Sequence, residues 1–290
     1  MILTRENYYT PEADWEYMSC SQYQSFCECE AKAIAKLEGR WKEEPTEALL
    51  VGNYFHSYME GEQAHQEFCQ ENFDKIYKTK TDKKTGTTTI TGKYKAYEVA
   101  DSMLRAAMEC PEIKRFYDMP GEVEHIMTGH LFGIPWRVRM DKYFPDRRLI
   151  LDWKTVADIH KLEYNKISKE YDTFAESYGY LMRAAVYSEI EKQNVHKSED
   201  PMFLLAVLSK QDPPDKALIS LGHRQRWDFE LEQVQKNIQR IILVKNKMVK
   251  PIRCGKCDYC RASKKHLRIQ AYYDFKPGFG EVEEDEFFEV

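Results

Sequence analysis

Apolar residues recur at helical spacing through the first third of the chain. Ala31, Ile34, Ala35 and Leu37 share one face of a segment from Gln22 to Glu38, with Ser19 or Ser21 ahead of it as a cap. A longer helix is expected from Thr46 to Phe73, carried by Leu49, Leu50, Tyr54, Phe55, Tyr58 and Met59. Between Lys78 and Lys93 the apolar positions almost vanish. The turn sequence Asp82-Lys83-Lys84-Thr85-Gly86 lies in the middle, and the threonines favour strand, so this stretch reads as a mobile loop or a hairpin. Helical spacing returns from Tyr94 to Met108, and Pro111 to Tyr117 fits one more short helix.

At Gly121 the pattern changes. Glu122–Thr128, Leu131–Phe144 and Arg148–Thr155 read as three successive strands, with turns at Gly129-His130 and Pro145-Asp146-Arg147. Thr173 to Lys192 is helical again. Met202 to Leu208 is a short, nearly continuous apolar run, as a buried strand requires, and Ala217 to Leu221 fits another. Asp228 to Met248 is a long amphipathic helix. Helices, a meander of strands, then helix, strand and helix predict an α/β fold with a mixed central sheet flanked by helices. The expectation is one domain over residues 1–270, followed by an acidic tail over 271–290.

Composition refines this picture. A hydrophobic content of 42% is enough for a sizeable core. No apolar run approaches the roughly 20 residues of a membrane span. Met1 to Asn7 lacks the pattern of a secretory signal, so a cytoplasmic protein with no membrane partner is expected. The net charge of −5 is unevenly spread: Asp274 to Val290 holds seven acidic residues and one lysine, whereas Lys245 to Arg268 holds nine basic residues and only Asp258 as an acid. Such a basic block can track phosphates or simply be a solvated face. In the tail, Phe279 to Val290 mixes acids with aromatics. A disordered end is the default there, and docking on a basic partner or shielding of the chain's own phosphate-binding channel is the functional alternative.

The chemistry concentrates in two places. Asp152 and Lys154 directly follow Leu149-Ile150-Leu151, an odd position for charges without a task, and strand alternation points both to one face. Asp141 lies on the preceding strand. If the strands pair, the two carboxylates converge on one cation of the Mg2+ (or Mn2+) kind, and the lysine is placed to hold water or a phosphate oxygen. A surface salt bridge on an ordinary hairpin is the plain alternative. The second place is Cys254-Gly255-Lys256-Cys257-Asp258-Tyr259-Cys260, where three thiolates can wrap one metal centre. A fourth ligand would come from the N-terminal region, with Cys27 the best candidate, then Cys29 or Cys20.

The order of these features resembles the RecB-type PD-(D/E)xK nucleases, and among them the phage and prophage exonucleases of the exonuclease VIII (RecE) group. Gly129 to Asp141 is similar to the family segment that leads into its first metal-binding aspartate, and Leu151-Asp152-Trp153-Lys154-Thr155 to the signature that follows. Gly52-Asn53-Tyr54-Phe55-His56 is similar to the upstream helical motif, which implies His56 as a third metal ligand. Glu124 is implied as a further acidic partner. Tyr180 to Tyr187 fits the frame of a downstream helix, but Arg183 stands where the family carries glutamine. Arg137, Arg139, Arg183 and Tyr187 are the candidate DNA contacts.

The resemblance spans about Ser19 to Lys265. It implies a PD-(D/E)xK core, double-stranded DNA ends as substrate, a single-strand annealing recombinase as partner and a ring-shaped homo-oligomer. The AddB and CRISPR-associated adaptation nucleases are more distant. Their arrangement of one cysteine before the core and three after it implies a 4Fe-4S iron-sulfur cluster on Cys27, Cys254, Cys257 and Cys260, with zinc as the alternative. Two further readings are kept: a CRISPR-adaptation or helicase-associated end-processing nuclease, and a non-catalytic, metal-stabilised DNA-binding module.

Overall fold

A cysteine and two glycines interrupt helices that the apolar periodicity would run through. The expected Gln22–Glu38 helix is two, Cys20–Glu28 and Glu30–Leu37, separated by Cys29 in an extended conformation (φ −165°, ψ 103°). The Thr46–Phe73 helix breaks at Gly61, whose φ of 147° is closed to most side chains. The Thr173–Lys192 helix breaks at Gly179.

The structure, a computed structural model, describes residues 1–165, 168–265, 269 and 271–272. The Phe279–Val290 segment to which docking or shielding was ascribed lies outside the described residues. In chain order the elements begin with α1 (Pro11–Glu16), α2 (Cys20–Glu28), α3 (Glu30–Leu37), α4 (Glu47–Glu60), α5 (Glu62–Glu71) and α6 (Phe73–Ile76). A ribbon of β1 (Tyr77–Thr81) and β2 (Thr88–Lys93) follows, then α7 (Lys95–Glu109) and α8 (Pro111–Asp118). Next come β3 (Glu122–Leu131), β4 (Ile134–Phe144), β5 (Leu149–Val156) and a small pair, β6 (Glu163–Asn165) and β7 (Glu170–Asp172). The chain continues through α9 (Phe174–Ser177), α10 (Tyr180–Val195), β8 (Met202–Ser209), β9 (Lys216–Ser220), α11 (Arg224–Lys245) and α12 (Asp258–Ala262). The β3–β4 turn falls at Phe132-Gly133 instead of Gly129-His130. Both turn residues have positive φ (53° and 82°), and β3 uses His130 and Leu131 as strand.

The central sheet runs β3-β4-β5-β8-β9, as the mixed sheet read from the sequence requires. β5 pairs antiparallel with β4 and parallel with β8, and β8 pairs antiparallel with β9. Every residue of β5 but Thr155 is buried, as expected of a central strand with a parallel neighbour. Contacts divide the chain into two units, one of Met1–Glu43, Thr128–Val138 and Asp228–Val290, the other of Glu44–Met127 and Arg139–Trp227.

The second unit holds the larger core. Val51, Tyr54 and Phe55 of α4 and Tyr97 and Met103 of α7 pack with Leu151 and Trp153 of β5 and Ala206 and Leu208 of β8. Alternation then sends Ile150, Asp152 and Lys154 to the opposite face. On that face Tyr187 of α10 meets Phe203 of β8, ring centres 6.0 Å apart. Glu191 of α10, fully buried, accepts from Tyr143 Oη (2.8 Å) and from Arg148 Nε (2.9 Å), so α10 is fastened to the strands by a paired charge. Gly121, just before β3, is required sterically: a Cβ there would lie 2.9 Å from both the Phe144 ring and the Tyr143 carbonyl.

In the first unit Val234, Ile238, Ile241 and Val244 form the buried stripe of α11. Asn237 Nδ2 donates to Tyr23 Oη of α2 (3.1 Å), and Arg240 grips Glu30 at the start of α3 through Nε (2.6 Å) and Nη2 (3.0 Å).

Candidate active site and thiolate centre

The site is built where the β4–β5 ladder stops. Its last register pair on that side is Lys142 with Leu151, so Asp141 and Asp152 stand one position beyond it. The Asp141 carboxylate takes the place of a ladder partner: Oδ2 accepts from the backbone N–H of Trp153 at 2.7 Å. Lys154, two residues past Asp152 on the same face, brings its ammonium into contact with Asp152 Oδ2 and within 4.0 Å of Asp141 Oδ2. It also donates to the Trp153 carbonyl at 2.9 Å. His56 enters from α4, with Nδ1 3.4 Å from Asp141 Oδ2. Arg183 enters from α10, with Nη1 3.9 Å from Asp152 Oδ1. The Tyr180 ring lies between two cations, 5.4 Å from Lys154 Nζ and 6.0 Å from the Arg183 guanidinium carbon. Tyr180 was not singled out in the sequence. Its signal is helical spacing, one turn before Arg183 on the same face.

Burial sets the electrostatics. It pulls the His56 imidazole below its ordinary value, against the opposing pull of Asp141, and so favours the neutral ring that can ligate a metal. Burial would raise the Asp141 carboxyl, but His56, Lys154, the Trp153 N–H and Arg183 outweigh it and leave it below its ordinary value. Asp152 is only 1% exposed, and neither of its oxygens accepts a well-formed hydrogen bond. A buried carboxylate in that condition calls for cationic charge beyond one lysine. With two hard oxygen donors and a neutral imidazole beside it, the residues fit a divalent metal ion.

The other sequence candidates divide. Glu124 is buried at φ 53° and its carboxylate meets Arg139 Nε at 2.6 Å, so an arginine is its observed partner. Arg139 shares the β4 face of Asp141 and is partly exposed. Arg137 is not available to DNA. It is 2% exposed, paired with Asp14 and stacked 4.6 Å from the centre of the Tyr8 ring. Nor is Tyr187, which is buried and donates its hydroxyl to the Arg139 carbonyl at 3.0 Å.

In the first unit the sulfurs of Cys29, Cys254, Cys257 and Cys260 all lie within 4.8 Å of one another. Cys29 Sγ is 3.6 Å and Cys254 Sγ 4.0 Å from Cys260 Sγ. Backbone N–H groups of Cys257 and Cys260 each point at the sulfur three residues earlier, at 3.4 Å. Burial opposes ionisation of Cys254, yet the N–H groups of Cys257 and Lys256 and the neighbouring thiols of Cys257 and Cys29 bring it down to about 7, whereas burial pushes Cys260 up to about 12. The expected fourth ligand, Cys27, is corrected to Cys29. Cys27 is exposed on α2, while the extended backbone at Cys29 carries that thiol into the cluster.

Part of the basic block is engaged on backbone carbonyls of its own unit. Lys245 donates to the carbonyls of Asp14 (2.7 Å) and Tyr17 (3.3 Å), Arg253 to the carbonyl of Cys260 (3.1 Å), and Arg261 to that of Lys256 (2.9 Å).

Comparisons with known proteins bear on the family and the fold. The crystal structure of a "Putative exonuclease" from Eubacterium rectale is similar, with a TM-score of 0.82 and 34% sequence identity over 94% of this chain and 98% of that one. The curated proteins include no significant match. A family model described as a PDDEXK-like domain of unknown function (DUF3799) matches residues 19–263. The chain therefore belongs to this PDDEXK-like family, an assignment that supports a nuclease.

Proposed function

We propose that the protein hydrolyses phosphodiester bonds in linear double-stranded DNA, with Mg2+ or Mn2+ held by Asp141, Asp152 and His56. The observation that carries this reading is the meeting of both carboxylates at the Lys154 ammonium, with His56 and Arg183 alongside. When bound, the divalent ion polarises a phosphoryl oxygen and makes a bound water a better nucleophile. Lys154, steadied by the Trp153 carbonyl, orients the attacking water or a phosphate oxygen. Arg183 offers a planar cation to the same phosphate, a task its fork suits better than the glutamine it replaces. Glu124 acts through Arg139, fixing its direction. Without an ion, two carboxylates and two cations balance. A divalent ion leaves a positive surplus facing the anionic substrate. Water adds to phosphorus, the ester P–O bond breaks and the departing oxygen takes a proton.

The exonuclease mode draws its support from the named neighbour and from the family resemblance. The recombination setting, the annealing partner and the ring assembly rest on the resemblance alone. A non-catalytic DNA-binding module would not need Asp141, Asp152 and Lys154 to meet, and they do. Incubation with linear and covalently closed duplex DNA in Mg2+ tests the reading. Mononucleotide release from the linear form alone is expected. Equal cutting of both forms overturns the exonuclease mode, and no cutting of either overturns the function.

For the thiolate centre the geometry favours zinc over the iron-sulfur cluster. One zinc with Zn–S bonds of about 2.3 Å holds four sulfurs about 3.8 Å apart. Two of the S–S separations here are 3.6 and 4.0 Å, and no pair exceeds 4.8 Å. A 4Fe-4S cluster binds each thiolate to a different iron and must spread the sulfurs by the size of its cube. The role is structural. Metal analysis of the purified protein should return one zinc per chain, and four irons with broad visible absorption would reverse this assignment.

A further inference from the structure

The β1–β2 ribbon has no part in the site described above, and its composition is unusual. From Lys78 to Lys93 it holds five lysines and seven threonines, with Asp82 as its one acid and no aromatic residue. Both strands are exposed along nearly their whole length, so no core of their own holds them. A bare two-stranded hairpin is marginal in water. This one is secured at its root. Ile76 is fully buried, and its carbonyl accepts from Tyr94 N at 2.9 Å. Lys93 donates to Tyr54 Oη (2.7 Å) and to both oxygens of Asp101 (2.9 and 2.7 Å). Tyr54 belongs to α4, two residues before His56, so the ribbon is anchored on the helix that carries the candidate histidine ligand.

Beyond the root the charges are mostly uncompensated. Lys78 sits over the Tyr94 ring at 5.6 Å. Among the described residues no acidic side chain pairs with Lys80, Lys83 or Lys84. Asp82, the one acid there, offsets only part of this charge, and its Oδ1 accepts from the backbone N–H of Lys84 at 2.7 Å and so shapes the turn. Register puts Lys80 opposite Thr89 on one face, with Lys83 and Lys84 at the tip.

We propose that this ribbon is a duplex-DNA arm that grips the sugar-phosphate backbone outside the active site. This rests on the nuclease reading for the identity of the substrate. Lysines and threonine hydroxyls are backbone-contacting groups, and contacts of this kind position a duplex without reading its sequence. Single-stranded DNA is bound largely by stacking of bases on aromatic rings, and beyond Tyr77 at its root the ribbon offers none. A two-stranded ribbon also has the width to lie in a major groove.

The test is duplex binding without divalent metal, so that no cleavage intervenes, by wild type and by K80Q/K83Q/K84Q. These side chains are exposed, so folding should survive; the variant's melting temperature checks this. Each lost phosphate contact lowers the slope of log affinity against log salt by about 0.9, so the triple variant should lose about 2 to 3 from that slope. Single-strand affinity should change little. An unchanged duplex slope overturns the proposal, as does an equal loss with single-stranded DNA or no duplex binding by wild type. Cleavage by wild type is scored separately in Mg2+. A protein that binds duplex through the ribbon but never cuts it would refute the nuclease reading and leave the arm standing.

Discussion

Asp152 sits at 1% exposure with oxygens that accept no well-formed hydrogen bond, and Lys154 and Arg183 are the cations within 4 Å of it. If this is the metal position, the ion should stabilise the fold by mass action, by about 2.7 kcal/mol at a hundredfold excess over Kd. Differential scanning of wild type should show a melting temperature that rises with Mg2+, and Asp152→Ala should lose that rise. An equal rise in both would place the ion elsewhere. Asp152 and Lys154 were legible because charges rarely follow an apolar run without cause. Asp141 followed from strand pairing, and His56 only from the order of motifs. Arg137 shows where local reading stops. It has the same strand parity as Arg139 and Asp141, but Asp14, far away in sequence, covers it. Tyr187 failed for the same kind of reason, since its hydroxyl is spent on a strand carbonyl that helical periodicity cannot reveal.

Among the elements, β8 was the easiest to foresee and the helix breaks the hardest. A continuous apolar strand announces burial on both faces, whereas apolar periodicity runs unbroken across Gly61 and Cys29. At Gly61 the break is a local backbone matter: a Cβ would meet nothing within 4 Å, yet φ is 147°. Gly61→Ala should therefore cost about 1–3 kcal/mol through backbone strain alone, read as a fall in denaturation midpoint with Mg2+-dependent cleavage retained below the transition. No loss of stability would show that the α4–α5 corner relaxes freely. Gly121→Ala should cost about 1–3 kcal/mol for a different reason, overpacking against the Tyr143 carbonyl and the Phe144 ring. At Cys29 the break is made by distant partners. Arg240 holds Glu30, and Cys260 meets the Cys29 thiol, neither of which is visible in the neighbouring sequence. That is why Cys27 was preferred to Cys29.

At the scale of the whole molecule, the carboxylate site and the thiolate centre belong to different units of the chain. Their metals should be separable. A thiophilic metal such as Hg2+ should strip the thiolate centre and lower the melting temperature, because metal binding and folding are coupled. Cys29→Ser should lose zinc and stability together, whereas Cys27→Ser should keep both; zinc retained by Cys29→Ser would return the fourth ligand to Cys27. The uneven charge of the sequence also reads differently in three dimensions. In the basic block near the C-terminus, Lys245, Arg253 and Arg261 are engaged on backbone carbonyls, while at the far end of the threonine-rich hairpin Lys80, Lys83 and Lys84 have no acidic partner among the described residues. The measurement that bears most directly on the central claim is single-turnover cleavage of an end-labelled linear duplex in Mg2+ by wild type, Asp152→Ala and Lys154→Ala. The account predicts cleavage by wild type, none by Asp152→Ala, and a rate lowered by about 100-fold or more in Lys154→Ala. Wild-type rates in either variant would contradict it.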